Sequence, residues 1–155
     1  MLSKNLRGPA LLMAAIMLAA CGSDDPEPPE PLDPELVKQG REVFRFDTFG
    51  YEAQWTDKLR MHEVIESAVD PVTALAVGLK VDAEALPAAV VQGIKDGSID
   101  LKSPATTVTL IKLNAVVGVS GKVETIDGKD RLVRMCITCA LCHSTVDNSF
   151  AAGIG

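Results

Sequence analysis

Cys136-Ile137-Thr138-Cys139-Ala140-Leu141-Cys142-His143 sets three thiols and an imidazole within eight consecutive residues. Cys139 and Cys142 stand three apart, and His143 follows the second directly. Residues i and i+3 of a helical turn share one face, so both sulfurs can reach the two vinyl groups of a single porphyrin. The neighbouring imidazole is then in place as the proximal ligand to its iron. In an exported chain this order of residues reads as a covalent attachment site for one haem c, with Cys139 and Cys142 forming the thioethers and His143 the axial bond.

Other chemistries of the same cluster stay open at this level. Cys136, Cys139 and Cys142 match the start of a ferredoxin run, but such a run needs a fourth Cys followed by Pro. No further Cys follows Ser144. A zinc ion would have to take His143 beside Cys142, and adjacent residues seldom both point at one tetrahedral centre. A redox-active Cys-x-x-Cys pair belongs at a helix N-terminus with a depressed thiol pKa, in a strand–helix alternation that the rest of this chain lacks. The fourth reading is a structural disulfide: Cys136 could close onto Cys139 and so compete with haem.

Upstream of the cluster, Val116, Val117, Val119 and Val123, then Leu132, Val133 and Ile137, flank Asp127-Gly128. Asp-Gly between β-rich runs predicts a two-stranded hairpin that feeds directly into the cysteine motif. Further back the periodicity is helical. Ser103-Pro104 opens a helix to about Asn114, although Thr106, Thr107, Val108 and Thr109 are β-branched and would suit a strand as well. Pro87 opens another, with Val90, Val91 and Ile94 inward and Gly97 as its stop. Pro71 to Leu79 is a short helix. Thr56 is placed to cap one running to Val69, with Met61, Val64, Ile65 and Ala68 as its apolar stripe. The first helix starts at Asp33-Pro34, a cap followed by a proline, and Leu36, Val37, Gly40, Val43 and Phe44 predict its buried stripe. The fold class expected from these elements is mainly α.

The N-terminus is a different kind of sequence. Lys4 and Arg7 precede an apolar run, Pro9 to Ala20, that is short for a membrane span and reads as an export leader. Leu18-Ala19-Ala20-Cys21 resembles the lipobox of bacterial lipoproteins. That resemblance implies cleavage before Cys21 and lipid on its sulfur and new amino group. Residues 1–20 are then a signal peptide, 21–33 a tether rich in Pro and acid, and 34–155 the domain. By similarity to bacterial sorting signals, Gly22 and Ser23 in place of Asp favour the outer membrane, with the protein facing the periplasm. The tether's alternating Pro and acid should stay extended. Of the 15 basic residues, loss of Lys4 and Arg7 leaves 13 against 21 acidic, a net charge of −8. Such a surface has no electrostatic reason to bind nucleic acid or anionic headgroups. The expected partners are the membrane, through the lipid, and a redox protein.

Gly40-Arg41-Glu42-Val43-Phe44 is similar to the entry helix of class I cytochromes c, but Arg45-Phe46-Asp47-Thr48-Phe49-Gly50 follows it with no Cys. Together with Leu110 to Val119 and Thr138 to Asp147, this segment resembles bacterial cytochrome c family proteins across most of Leu36 to Gly155. The resemblance implies a cytochrome c-like helical domain with one β-hairpin before the haem motif, and one-electron transfer through the iron. It also implies a chain that continues past Gly153-Ile154-Gly155. The sequence ends 12 residues after His143, so the domain is expected to be incomplete at its C-terminus. Cytochromes of this type carry a distal Met or His. Met61 and His62 are the candidates within the chain, Met135 lies too close along it to reach the opposite haem face, and a ligand beyond residue 155 is the expectation. An electron carrier is favoured over an enzyme, since one motif comes with no visible distal acid–base pair. The rivals are a haem peroxidase-like oxidoreductase with an open distal site and a haem-less lipoprotein remnant.

Overall fold

The computed structural model describes residues 30–155. The expected export leader, the expected lipidation site at Cys21 and most of the expected tether lie outside the described residues. The chain divides into a unit ending at Asp33 and a compact unit from Pro34 to Gly155, which carries all that follows. Among the described residues no helix is long and apolar enough to cross a membrane.

Along the chain run α1 (Pro34–Phe46), a π-helical turn (Gln54–Lys58), α2 (Met61–Ala68), α3 (Pro71–Ala76) and a 3-10 turn (Ala83–Ala85). Then come α4 (Ala88–Asp96), α5 (Pro104–Lys112), β1 (Val119–Ile126), β2 (Lys129–Ile137) and α6 (Ala140–His143). Ile126 pairs with Lys129 across Asp127 and Gly128, whose φ angles of 51° and 74° are both left-handed. A two-residue turn of that hand matches the strand twist. The strands slip by one residue midway: Lys122 faces Arg134 while Val123 faces Leu132, so Val133 is extra. This bulge interrupts the alternation of faces, and Leu132 and Met135, three apart, are both buried. They meet Ile65 of α2 and Val108, Leu110 and Ile111 of α5 in one apolar core. Ile111 and Leu132 are each 1% exposed, and full burial of such a side chain stabilises by about 1.5–3 kcal/mol.

Three expectations are corrected here. The mainly α class, and the cytochrome c-like helical domain with it, does not describe this chain. The hairpin contributes strands of 8 and 9 residues and forms a wall of the core against α2 and α5, rather than a minor ribbon leading out of a helical bundle. The stripe of α1 is the second. The helix starts at Pro34 as its sequence predicts, but none of its residues is buried; Leu36, Val37 and Val43 are 64%, 52% and 48% exposed. Periodicity makes a helix amphipathic without supplying a surface to receive the apolar face. The third is Thr56. It caps no helix, because Arg60 at φ 52° turns the chain and α2 begins only at Met61. Thr56 is buried inside the π-helical turn instead.

α5 resolves the ambiguity of its β-branched run in favour of helix. Thr107, Val108 and Ile111 fall on one face at helical spacing, and all three are buried. Packing of that face outweighs the small intrinsic penalty on branched side chains.

Candidate functional site

β2 ends at Ile137, and the next residue ties the cysteine turn to the rest of the protein. Thr138 is 6% exposed; its N–H donates to Gly118 O at 2.9 Å and its Oγ1 donates to Arg45 O at 3.0 Å. The chain then makes one helical turn, with Leu141 N donating to Thr138 O and His143 N to Cys139 O, at 3.1 and 3.2 Å. Ala140 faces inward and is fully buried. Cys139, Cys142 and His143 are exposed. The small alanine lets the turn sit close to the core, and the same turn displays the two thiols and the imidazole outward.

Gly118 explains how close the turn comes. Its φ is +80°, and a Cβ there would overlap the backbone N and Cα of Leu141. Only glycine allows both the left-handed conformation and that approach. A glycine within a valine-rich run is a sequence signal of close backbone contact, and it was there to be read beside Val116 and Val117.

The third cysteine is set apart from the other two. Cys136 is 1% exposed on β2, and its Sγ lies 4.0 Å from Thr48 O. Burial pushes its thiol pKa up, and the nearby Glu52 carboxylate adds to the shift. The three described cysteines are free. A buried, protonated thiol is a poor nucleophile, so the disulfide that could trap Cys139 is disfavoured by placement and by charge. A ferredoxin-like set also fails to converge: one sulfur is inside and two outside, and among the described residues no group of three or more His, Cys, Asp or Glu side chains could hold a metal ion.

The two distal candidates, Met61 and His62, open α2, which packs against β2. Glu66 of α2 accepts from Leu132 N at 2.7 Å, and Thr56 Oγ1 bonds Met135 through both backbone groups at 3.0 Å. These clamps hold the segment carrying Met61 and His62 along the middle of β2. From there the strand runs on past Ile137, at roughly 3.3 Å per residue, before the motif begins. Met61 packs against the core. His62 is half-buried, with Nε2 3.7 Å from Glu63 Oε1 and Nδ1 buried without a hydrogen-bond partner. Met135 is core.

Next to the motif lies a cleft of about 240 Å³, lined by Arg41 and Arg45 of α1, by Asp82 and Glu84, and by the segment 144–147 that leaves His143. Arg45 Nη2 donates to Asp82 Oδ2 at 2.9 Å. A larger depression of about 760 Å³ opens between α2, α5 and the hairpin. Within it Glu66 pairs with Arg131, Asp130 with Lys112 and Glu63 with Arg60, and it contains none of the motif residues. No family model, curated protein or solved structure matches the chain. The functional reading therefore stands on the motif and on its geometry.

Proposed function

We propose that the chain carries one c-type haem, bound through Cys139 and Cys142 with His143 as the axial ligand of the iron, and that it works as a one-electron carrier. In this reading it is a bacterial cytochrome c family protein in its chemistry, held by lipid on Cys21 at a membrane, the outer membrane by preference, and facing the periplasm. Its partner is another redox protein. The observation that carries the reading is the split of one helical turn, with Ala140 buried and both thiols and the imidazole turned outward.

The residues present fit the group. Both motif thiols are free and exposed, as the attachment chemistry requires: addition of each S–H across a vinyl double bond forms the C–S bond and places the hydrogen on the neighbouring carbon, without an oxidant. Bound haem supplies the reversible ferric–ferrous couple. The chain's own part is to hold the turn rigid through Thr138, Gly118 and Ala140, so that sulfur positions and imidazole direction are set before the group arrives. Burial of Cys136 keeps a competing thiol away.

A second reading leaves the sixth iron position exchangeable, and the protein then reduces peroxide. A high-spin spectrum with peroxide turnover would select it; a low-spin six-coordinate spectrum would select the carrier.

The deciding experiment is intact mass after expression with a haem-attachment system. One added haem is expected, lost on Cys139→Ala with Cys142→Ala. A colourless protein with both thiols titratable, under conditions that load a control cytochrome, would overturn the proposal.

A further inference from the structure

Independently of the haem reading, we infer that the outer edge of β1 is a self-pairing surface, on which a second copy of this chain docks its own β1 antiparallel across a two-fold axis. The hairpin is a two-stranded sheet with two edges, and they differ. On β2 the outward groups are taken up: Thr56 Oγ1 bonds both Met135 N and Met135 O, and Glu66 accepts from Leu132 N. On β1 they are not. Gly121 faces Met135, Val123 faces Leu132 and Thr125 faces Asp130. In an antiparallel ladder, pairs that exchange hydrogen bonds alternate with pairs that do not. Met135 and Leu132 direct their own groups outward, so Gly121 and Val123 belong to the second kind, and Thr125, two residues on, follows them. Their N–H and C=O groups point away from β2, and among the described residues no backbone group outside the hairpin bonds them. An open edge of this kind is a template for another strand.

The sequence of the edge selects the occupant. A two-fold contact pairs the same surface with itself, so the register is set by the residue on the axis. Only a register centred on Val123 brings all three outward-facing residues into hydrogen-bonding pairs, Gly121 with Thr125 of the second copy and Val123 with its own equivalent. The same register sets Lys122 opposite Glu124 of the second copy, twice over, at the closely spaced positions where side chains interact most. Both are exposed on one face of β1, with Lys122 Nζ 2.6 Å from Glu124 Oε1. An exposed pair within one strand contributes little, so exchanging it for the cross-strand pair costs little. On its other side Lys122 stands opposite Arg134, a like-charged neighbour that a second carboxylate offsets.

Edges that stay unpaired carry charge that repels a copy, or a bulge that bends them away. Here the extra residue of the bulge is Val133 on β2, which leaves β1 regular, and Lys122-Val123-Glu124 attracts itself when read antiparallel. A uniformly basic or acidic peptide would match one of those charges and repel the other; the chain's own strand matches both. The contact spans residues 121–125 on each side, at the weak end of protein interfaces, so the dimer is reversible and depends on concentration.

The test is sedimentation velocity of the full chain in one detergent over about a hundredfold range of concentration, since mass action makes self-association rise with concentration. The parent should pass from monomer to dimer. Lys122→Glu and Glu124→Lys each set like charges opposite one another, and each should weaken the dimer about tenfold or more. An equimolar mixture of these two variants, and a chain carrying both substitutions, should regain it, because opposite charges face each other again. Thr125→Pro removes an outward N–H that the ladder to β2 does not use and should weaken the dimer as well. Lys122 and Glu124 are exposed, so an unfolded Thr125→Pro leaves the charge variants to decide. A parent that stays monomeric, a dimer equally strong in both single charge variants, or a mixture that stays monomeric would overturn the inference, whatever the haem content.

Discussion

Thr56 does for β2 what a neighbouring strand would do. Its hydroxyl donates to Met135 O and accepts from Met135 N, each at 3.0 Å, in a buried setting. Thr56→Val would leave both backbone groups unsatisfied, at about 1–3 kcal/mol. The expected result is a lower urea midpoint at unchanged slope, with Thr56→Ser keeping most of the stability. Glu66 makes a comparable clamp three residues earlier on β2, accepting from Arg131 at 2.9 and 3.0 Å and from Leu132 N at 2.7 Å. The Arg131 hydrogen bonds, against the opposing cost of burial, hold its carboxyl below the ordinary glutamate range. A depressed folded-state pKa contributes stability that is present above the unfolded value, about 4.3, and is lost as pH falls through the folded value. Glu66→Gln should therefore flatten the fall of the urea midpoint between pH 5 and the acid transition. Neither clamp was legible in the sequence. Thr56 looks like a helix cap and Glu66 like a surface acid until the strand that each one serves is placed beside it.

Among the elements, the cysteine turn depends on the stretch just before β1. Gly118 combines φ +80° with backbone contact to Leu141, whereas Gly97 at φ +77° closes α4 with open space around it. Gly97→Ala meets only the left-handed penalty, about 1 kcal/mol. Gly118→Ala adds a collision with main chain that no rotamer change relieves, and should cost several times as much. On the proposed haem reading, it should also lower the fraction of chains that load haem, read by intact mass. The hairpin itself was plain from Asp127-Gly128 between β-rich runs, and so was the helix start at Pro34, whereas Pro104 opened a run that could have been strand until packing decided it. Cap and turn residues act on their immediate neighbours, so they can be read locally. The bulge at Val133 and the start of α2 at Met61 were not, because a long-range partner selects them.

For the whole molecule, the distribution of burial predicts the distribution of local stability. α5 contributes Val108, Leu110 and Ile111 to the core, whereas α1 contributes nothing buried and is fastened chiefly near its end, at Arg45. Opening free energies follow buried contacts, so amides of the first two turns of α1 should exchange with solvent markedly faster than those of α5 and β2. Hydrogen-exchange mass spectrometry at neutral pH checks this directly. Equal protection of α1 and α5 would contradict the burial pattern.

The chemistry of the candidate site came from the sequence alone: Cys139, Cys142 and His143 have the spacing of one turn whatever surrounds them, and the elements flanking Asp127-Gly128 declare themselves by local propensity. Tertiary structure decided the rest. It withdrew Cys136 from the surface, aimed the motif outward over Ala140, left the stripe of α1 without a partner and made the hairpin a wall of the core. Each of those outcomes depends on contacts between residues far apart in the chain, such as Arg45 with Thr138 or Thr56 with Met135, and periodicity carries no information about distant partners.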